Sequence, residues 1–176
     1  FLCEGKMKKC VCLFSFFMLS VQITPQILIS NSEVYIQDFN TLASGGSTYV
    51  MPTGWFLLET GTNADISYSA STGSNGAGNT YSFGLTLERA LGTIRSSFLV
   101  STIGARFRNN SGSTLNVLPI SYYGEQWRLS TVGREDRLDF QYSLDATSLN
   151  SGTWIDVNEL DFIAPIASGT IGYRDG

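Results

Sequence analysis

Apolar side chains that alternate with polar ones along short runs, each run broken by Gly, Ser, Asn or Asp, constrain this chain more than any other feature. Residues 122–162, YYGEQWRLSTVGREDRLDFQYSLDATSLNSGTWIDVNELDF, carry the pattern most clearly. Along residues 137–143, Leu138, Phe140 and Tyr142 fall on one side of an extended backbone and Arg137, Asp139, Gln141 and Ser143 on the other, as a half-buried strand requires. Nothing in the body repeats apolar residues at helical spacing for three turns, although residues 88–91 and 145–149 have room for a single helical turn. Short strands with turn signals every roughly 8–12 residues indicate a sandwich or barrel. The expected fold is therefore all-β: an antiparallel, jelly-roll-like (concanavalin A-like) β-sandwich.

Walking along the chain, residues 33–39 (EVYIQDF) read as a first strand with an aromatic face, and Pro52, Thr53 and Gly54 as the turn that delivers a second strand at 55–59. Residues 61–79, rich in Gly, Ser, Thr and Asn, are expected to form the longest loop, except around Ile66 and Tyr68. Further strands are expected at 80–84, 89–91 and 103–109. There NNSGS (109–113) would close a hairpin onto 115–123. Pro119 lacks an amide donor and would sit at an edge or a bulge of that strand. Residues 125–130, 137–143, 153–157, 160–163 and 170–173 complete the set.

At 176 residues the chain suits one domain able to bury an ordinary apolar core. All of its lysine (Lys6, Lys8, Lys9) lies at the start. The rest holds eight arginines against fourteen acids, about −6 with unperturbed side chains. Clustered positive charge is what phosphate binding needs, so nucleic acid is not an expected partner. From Met7 the chain reads MKKCVCLFSFFMLSV, two lysines and then an apolar run of about a dozen residues, the form of a secretory signal and short of a membrane span. The expected organisation is a leader at 1–32 and a sandwich module at 33–176, released by cleavage after the Ser30/Ser32 small-x-small pair, with poorer flanks near Ser20. Secretion or display at the cell surface follows, with no membrane contact after cleavage. Cys3, Cys10 and Cys12 all fall in the leader, which leaves the body no disulfide framework. Phe1–Lys6 precede Met7, and residues 174–176 follow directly on a strand-like run, so the chain reads as a gene fragment or an imperfectly bounded gene, with room for downstream domains.

With no His, and no Cys after Cys12, the body has no Ser-His-Asp, Cys-His or His-metal chemistry. Carboxylates remain. Glu88, Glu125, Glu135, Asp136 and Asp139 are conceivable members of a glycosidase pair, yet no acidic spacing marks two of them on one strand face. The candidate ligand-binding residues are Trp127, Glu125, Arg128 and Tyr123: an aromatic ring for stacking on a sugar and polar groups to orient it. Glu125 and Arg128 of GEQWR equally suit a structural ion pair, Trp127 suits the core, and Arg89 within ERALG invites the same caution. Arg137 and Asp139 would form a solvated pair of little energetic weight, about 0–1 kcal/mol. No cofactor is expected; calcium is the most plausible ion, held by Glu135 with Asp136 or by Asp175, although these lack a recognisable ligand spacing. Asn109 meets the N-x-S glycosylation rule.

Eight blocks in one order carry a resemblance: QDFNTLA (37–43), PTGW (52–55), TYSFG (80–84), ERALG (88–92), IGARFRNNSG (103–112), YYGEQWR (122–128), DRLDFQYS (136–143) and GTW (152–154). Together they resemble a module of secreted bacterial proteins, among them proteins with PEP-CTERM-type sorting tails and large extracellular ones that join it to nuclease-phosphatase or adhesion domains. The resemblance covers nearly everything from Glu33 onward. It implies an extracellular β-sandwich closed by further strands beyond Gly176 and carries over no catalytic residue. The expected function is a non-catalytic module that binds polysaccharide or another cell-surface component, or that spaces its neighbours. The alternative is the N-terminal portion of a secreted nuclease- or phosphatase-type hydrolase whose active domain lies beyond this chain.

Overall fold

The computed structural model describes residues 25–30, 34–85 and 87–176. The leader's lysines, apolar run and three cysteines, and the expected cleavage point between Ser32 and Glu33, lie outside the described residues. Those described form an all-β protein with several small sheets and no α-helix. No described helix is long and apolar enough to cross a membrane.

The strands are β1 (Ile27–Ile29), β2 (Ser47–Thr48), β3 (Trp55–Thr60), β4 (Tyr68–Ser71), β5 (Asn79–Phe83), β6 (Ala90–Ile94), β7 (Val100–Ala105) and β8 (Phe107–Asn109). They are followed by β9 (Arg128–Leu129), β10 (Arg137–Leu138), β11 (Gln141–Tyr142), β12 (Ile155–Asp156), β13 (Phe162–Ile163) and β14 (Gly172–Tyr173). A four-stranded sheet runs β2-β4-β5-β6, and β3 pairs with β7 antiparallel from Trp55↔Ala105 to Thr60↔Val100. Two-stranded ladders join β1 to β8, β9 to β14, β10 to β13 and β11 to β12.

The four-stranded sheet and the β3–β7 pair pack face to face. Tyr68 of β4, Leu91 of β6 and Leu42 make one buried cluster, and Trp55, Leu57 and Ile103 from β3 and β7 close over it. Tyr68, 1% exposed, is fixed at both ends: its hydroxyl accepts from the Ala43 amide at 3.1 Å and donates to the Val50 carbonyl at 3.0 Å. Between the layers lies a buried carboxylate, Glu59. One of its oxygens accepts from the Thr80 amide and hydroxyl, both at 2.8 Å, and the other from the Asp65 amide at 3.1 Å. The Ser101 hydroxyl donates in turn to Thr80 Oγ1 at 2.8 Å, so one acid ties β3 to β5 and β7. A buried charge is tolerable only with such satisfaction.

β5 is buried on both sides. Thr80 and Ser82 face inward to these polar groups, while Tyr81 and Phe83 join Trp127 in a second cluster against Ala90 and Ile94. The period-2 geometry of a strand makes this division possible. β4 and β5 run parallel, with Ser69↔Tyr81 and Ser71↔Phe83 in register, although only residues 72–78 connect them. Parallel neighbours ordinarily need a crossover of a dozen or more residues.

The structure departs from the sequence reading in several places. The pairing is mixed rather than antiparallel, because β1–β8 and β4–β5 are parallel. Residues 34–39 form no strand: Phe39 turns left-handed at φ 59°, the Asn40 amide donates to Asp38 Oδ1, and the aromatic groups pack edge-on instead, Phe39 on Trp55 and Tyr35 on Phe107. Asn109 and Ser111 bond locally, with Asn109 Nδ2 donating to the Ser113 carbonyl at 2.7 Å, but 115–123 forms no strand for that turn to close onto. Pro119 therefore sits outside any ladder. Residues 61–79 are not all loop, since β4 lies within them. The run 137–143 splits into β10 and β11 with different partners, and Leu138 and Tyr142 stay 41% exposed. Residues 88–91 lead into β6, and a 3-10 turn forms at Asn158–Leu160 rather than at 145–149. The turn before Trp55 is as read: the Trp55 amide donates to the Pro52 carbonyl at 2.9 Å, and Gly54 takes φ 79°.

Candidate functional site

A cavity of about 240 Å3 opens at the end of β4 and β5. Its lining includes Ser44, Gly45, Ser71, Thr72, Ser74 and Asn75, with Gly84 and Arg89 beside them. This is smaller than the roughly 300–1,000 Å3 of pockets that take drug-sized ligands. A larger depression of about 530 Å3 lies against residues 109 and 112–115 but has no charged group in its wall.

Arg89 is the one ionisable residue in the smaller cavity, and it is 3% exposed. Its Nε donates to Ser82 Oγ at 2.8 Å, Nη1 to the Gly84 carbonyl at 2.8 Å, and Nη2 to the Ser82 carbonyl. The Arg89 amide donates to Asn40 Oδ1 at 2.8 Å. Among the described residues the ion pairs are Arg134–Asp136 and Arg137–Asp139, both on the surface, so the Arg89 charge faces carbonyls and a hydroxyl instead of a carboxylate. Burial pulls its guanidinium below the ordinary value, opposed by the charges of Glu88 and Tyr68; an arginine nevertheless stays cationic.

Three of the four residues singled out from the sequence come together behind this cavity. Trp127, 6% exposed, stacks on Phe83 with ring centres 6.3 Å apart and planes within 6°. Its indole N–H donates to Glu125 Oε2 at 2.7 Å. Arg128 Nη1 donates to the carbonyls of Gly73 and Ser74, both at 3.0 Å, and so fastens the 72–78 crossover that forms one wall. Gly73 must be glycine there: its φ is 83°, and a Cβ would lie 2.1 Å from the Trp127 carbonyl oxygen. Arg128 Nε is buried without a hydrogen-bond partner. Glu125 and Arg128 thus serve separate partners and form no ion pair with each other. Tyr123, the fourth, is fully exposed and belongs to neither buried cluster, while the Tyr122 hydroxyl beside it donates to the Leu160 carbonyl.

On the outer rim, Glu88 approaches Glu125. Loss of water contact raises the Glu88 pKa, the Glu125 charge and a hydrogen bond with that carboxyl raise it further, Arg89 lowers it, and Asp175 adds a small increase. Tyr81, beneath the crossover, is also raised, chiefly by burial. Among the described residues no three His, Cys, Asp or Glu side chains gather to hold a metal.

The sequence reading named Arg89 but missed the hydroxyl and amide groups around it, because Ser71, Ser74 and Asn75 sit in a polar, Gly-rich stretch that reads as loop. Glu59 carried no signal beyond its place at a strand end. Compared with family models, with curated proteins and with solved structures, the chain matches none.

Proposed function

We propose that this chain is a secreted, non-catalytic module, a jelly-roll-like sandwich that binds a polysaccharide or another hydroxyl-rich cell-surface component through the Arg89 cavity. The supporting observation is that cavity itself: a sugar-sized space walled by serine, threonine and asparagine groups and held by a braced backbone. Sugars are recognised by such convergent hydroxyl and amide groups. Trp127 and Arg128 act from behind, as supports for the wall, and Tyr123 supplies an exposed ring at a distance from it. A role as spacer between domains is what remains if the cavity binds nothing.

Titration of the purified protein with a panel of soluble polysaccharides, with and without calcium, tests this reading. Gly45→Phe is the diagnostic variant, since a side chain at Gly45 meets open space and enters the cavity rim without disturbing the fold. Loss of binding in that variant supports the reading; failure of every polysaccharide to bind the native protein rejects it.

The Glu88–Glu125 pair gives a second reading, glycoside hydrolysis within the fold, a specific footing. Retaining glycosidases place their carboxyl groups about 5 Å apart with the sugar between them. Two acids that share a hydrogen bond suit a shared proton instead, and the binding reading is preferred. Release of reducing sugar that vanishes in Glu125→Gln would reverse that preference.

A further inference from the structure

Resting on the binding reading above, we infer that the cavity takes an anionic sugar, one bearing a carboxylate or a sulfate ester, with Arg89 as the residue that selects it. The body as a whole is predominantly acidic, fourteen acids against eight arginines with Arg89 counted among them, and its net charge disfavours such a ligand. Yet among the described residues the charge in the cavity wall is a cation, largely buried and with no acid within ion-pair distance.

A guanidinium has five N–H donors, of which the protein occupies three here, one on each nitrogen. The two that remain are one on each terminal nitrogen, and charge-assisted bonds from such donors to an oxyanion are the strong ones. Ser82 and Gly84 fix the guanidinium plane from the protein side, so the cation is positioned before any ligand arrives. Replacing this arginine would leave the Ser82 hydroxyl and carbonyl and the Gly84 carbonyl without their donor, and its placement beside a hydroxyl-lined space is what a ligand anion completes. Ser71 Oγ, which accepts from the Gly73 amide at 3.0 Å, and Asn75 supply hydroxyl and amide groups for the ring that carries the anion.

The test uses three probes on the intact protein: a galacturonate oligomer, a sulfated galactan and a neutral galactan, each titrated by calorimetry at low and high salt. Either acidic probe should bind at least about tenfold more tightly than the neutral one, the scale of one charge-assisted hydrogen bond, and the advantage should shrink with salt; the comparison between the two acidic probes tells carboxylate from sulfate. Arg89→Gln should remove the preference. Because that variant disturbs a buried hydrogen-bond network, Ser44→Glu at the exposed rim is the companion: it supplies an internal carboxylate that competes for Arg89 and should abolish acidic binding while leaving the fold intact. Equal affinity for neutral and acidic probes, or acidic binding untouched by Ser44→Glu, overturns the inference and leaves polysaccharide binding standing. Absence of binding by all three probes, together with silence across the wider panel, overturns both.

Discussion

Residues 34–109 and residues 110–176 are built on different principles. The first region has the long ladders, β3–β7 and β5–β6, and most of the buried apolar side chains, among them Leu42, Tyr68, Tyr81, Phe83, Leu91 and Leu99. The second contributes Trp127 and Leu129 to the interior, and its ladders are two residues long. What holds it is side-chain-to-backbone bonding: Asp145 Oδ1 accepts from the Thr153 amide at 2.8 Å, Asp161 Oδ1 from the Phe140 amide at 2.8 Å, and Gln126 bonds the Ile166 backbone in both directions. Apolar burial is cooperative and spreads a perturbation through the layer, whereas separate side-chain-to-backbone bonds can open piecewise. The second region should therefore exchange its amides faster than β3 and β7 do.

The strongest attempt to break that comparison is Tyr68→Ala, which empties a position buried in the first cluster and strands two backbone groups. It should cost about 3–5 kcal/mol in urea unfolding, read as a lower midpoint for β3–β7 and the four-stranded sheet. Glu59→Ala comes next. Leaving the Thr80 hydroxyl and the Asp65 amide without their acceptor should cost about 1–3 kcal/mol, and Glu59→Gln should recover part of it. Asp145→Ala should be much milder, speeding hydrogen exchange at Thr153 and its neighbours while the unfolding midpoint of β3–β7 stays put. If it instead lowers that midpoint as Tyr68→Ala does, the two regions are one cooperative unit.

Two pH effects sharpen the contrast at the smallest scale. Asp145 has its pKa lowered, chiefly by the Thr153 amide. Its stabilisation is present above the unfolded value of 3.8 and is lost as pH falls through the lower folded value. Glu88 is raised, so its contribution is complete below the unfolded value of 4.5 and is lost as pH rises through the higher folded value. Acid titration of Asp145→Asn and Glu88→Gln should flatten these two opposite slopes, each in its own window.

The β1 strand offers a separate check. It precedes the Ser32–Glu33 bond, yet Ile27 is 5% exposed, seated in the notch over Gly54 where a Cβ would meet its side chain at 2.6 Å. Cleavage after Ser32 would discard this strand, so under the proposed secretion mass spectrometry of the mature chain should find an amino terminus upstream of Pro25.

Alternation and turn chemistry made β3 and β5 legible, whereas the strand expected at 103–109 divides between the end of β7 and β8, which pairs with β1 instead. β4 was hidden for a physical reason: its YSAS sequence is small and polar so that it can lie between two strands with the cavity at its end. The error at 115–123 has the converse cause. Val117, Leu118 and Ile120 alternate with nothing to pack on and remain exposed, so the pattern had no sheet to enforce it. Of the site, Trp127, Glu125 and Arg128 were found as residues but not as supports, because a linear sequence does not reveal that Arg128 reaches the Gly73 and Ser74 carbonyls across the chain.

The connection from β4 to β5 is short and pinned by Arg128. A ligand entering beside it would meet a wall with little freedom left to surrender, so association should carry a small ordering penalty and a favourable heat. Lengthening that connection by a few glycines would leave every contact group in place and still weaken binding, with the loss appearing in the entropy.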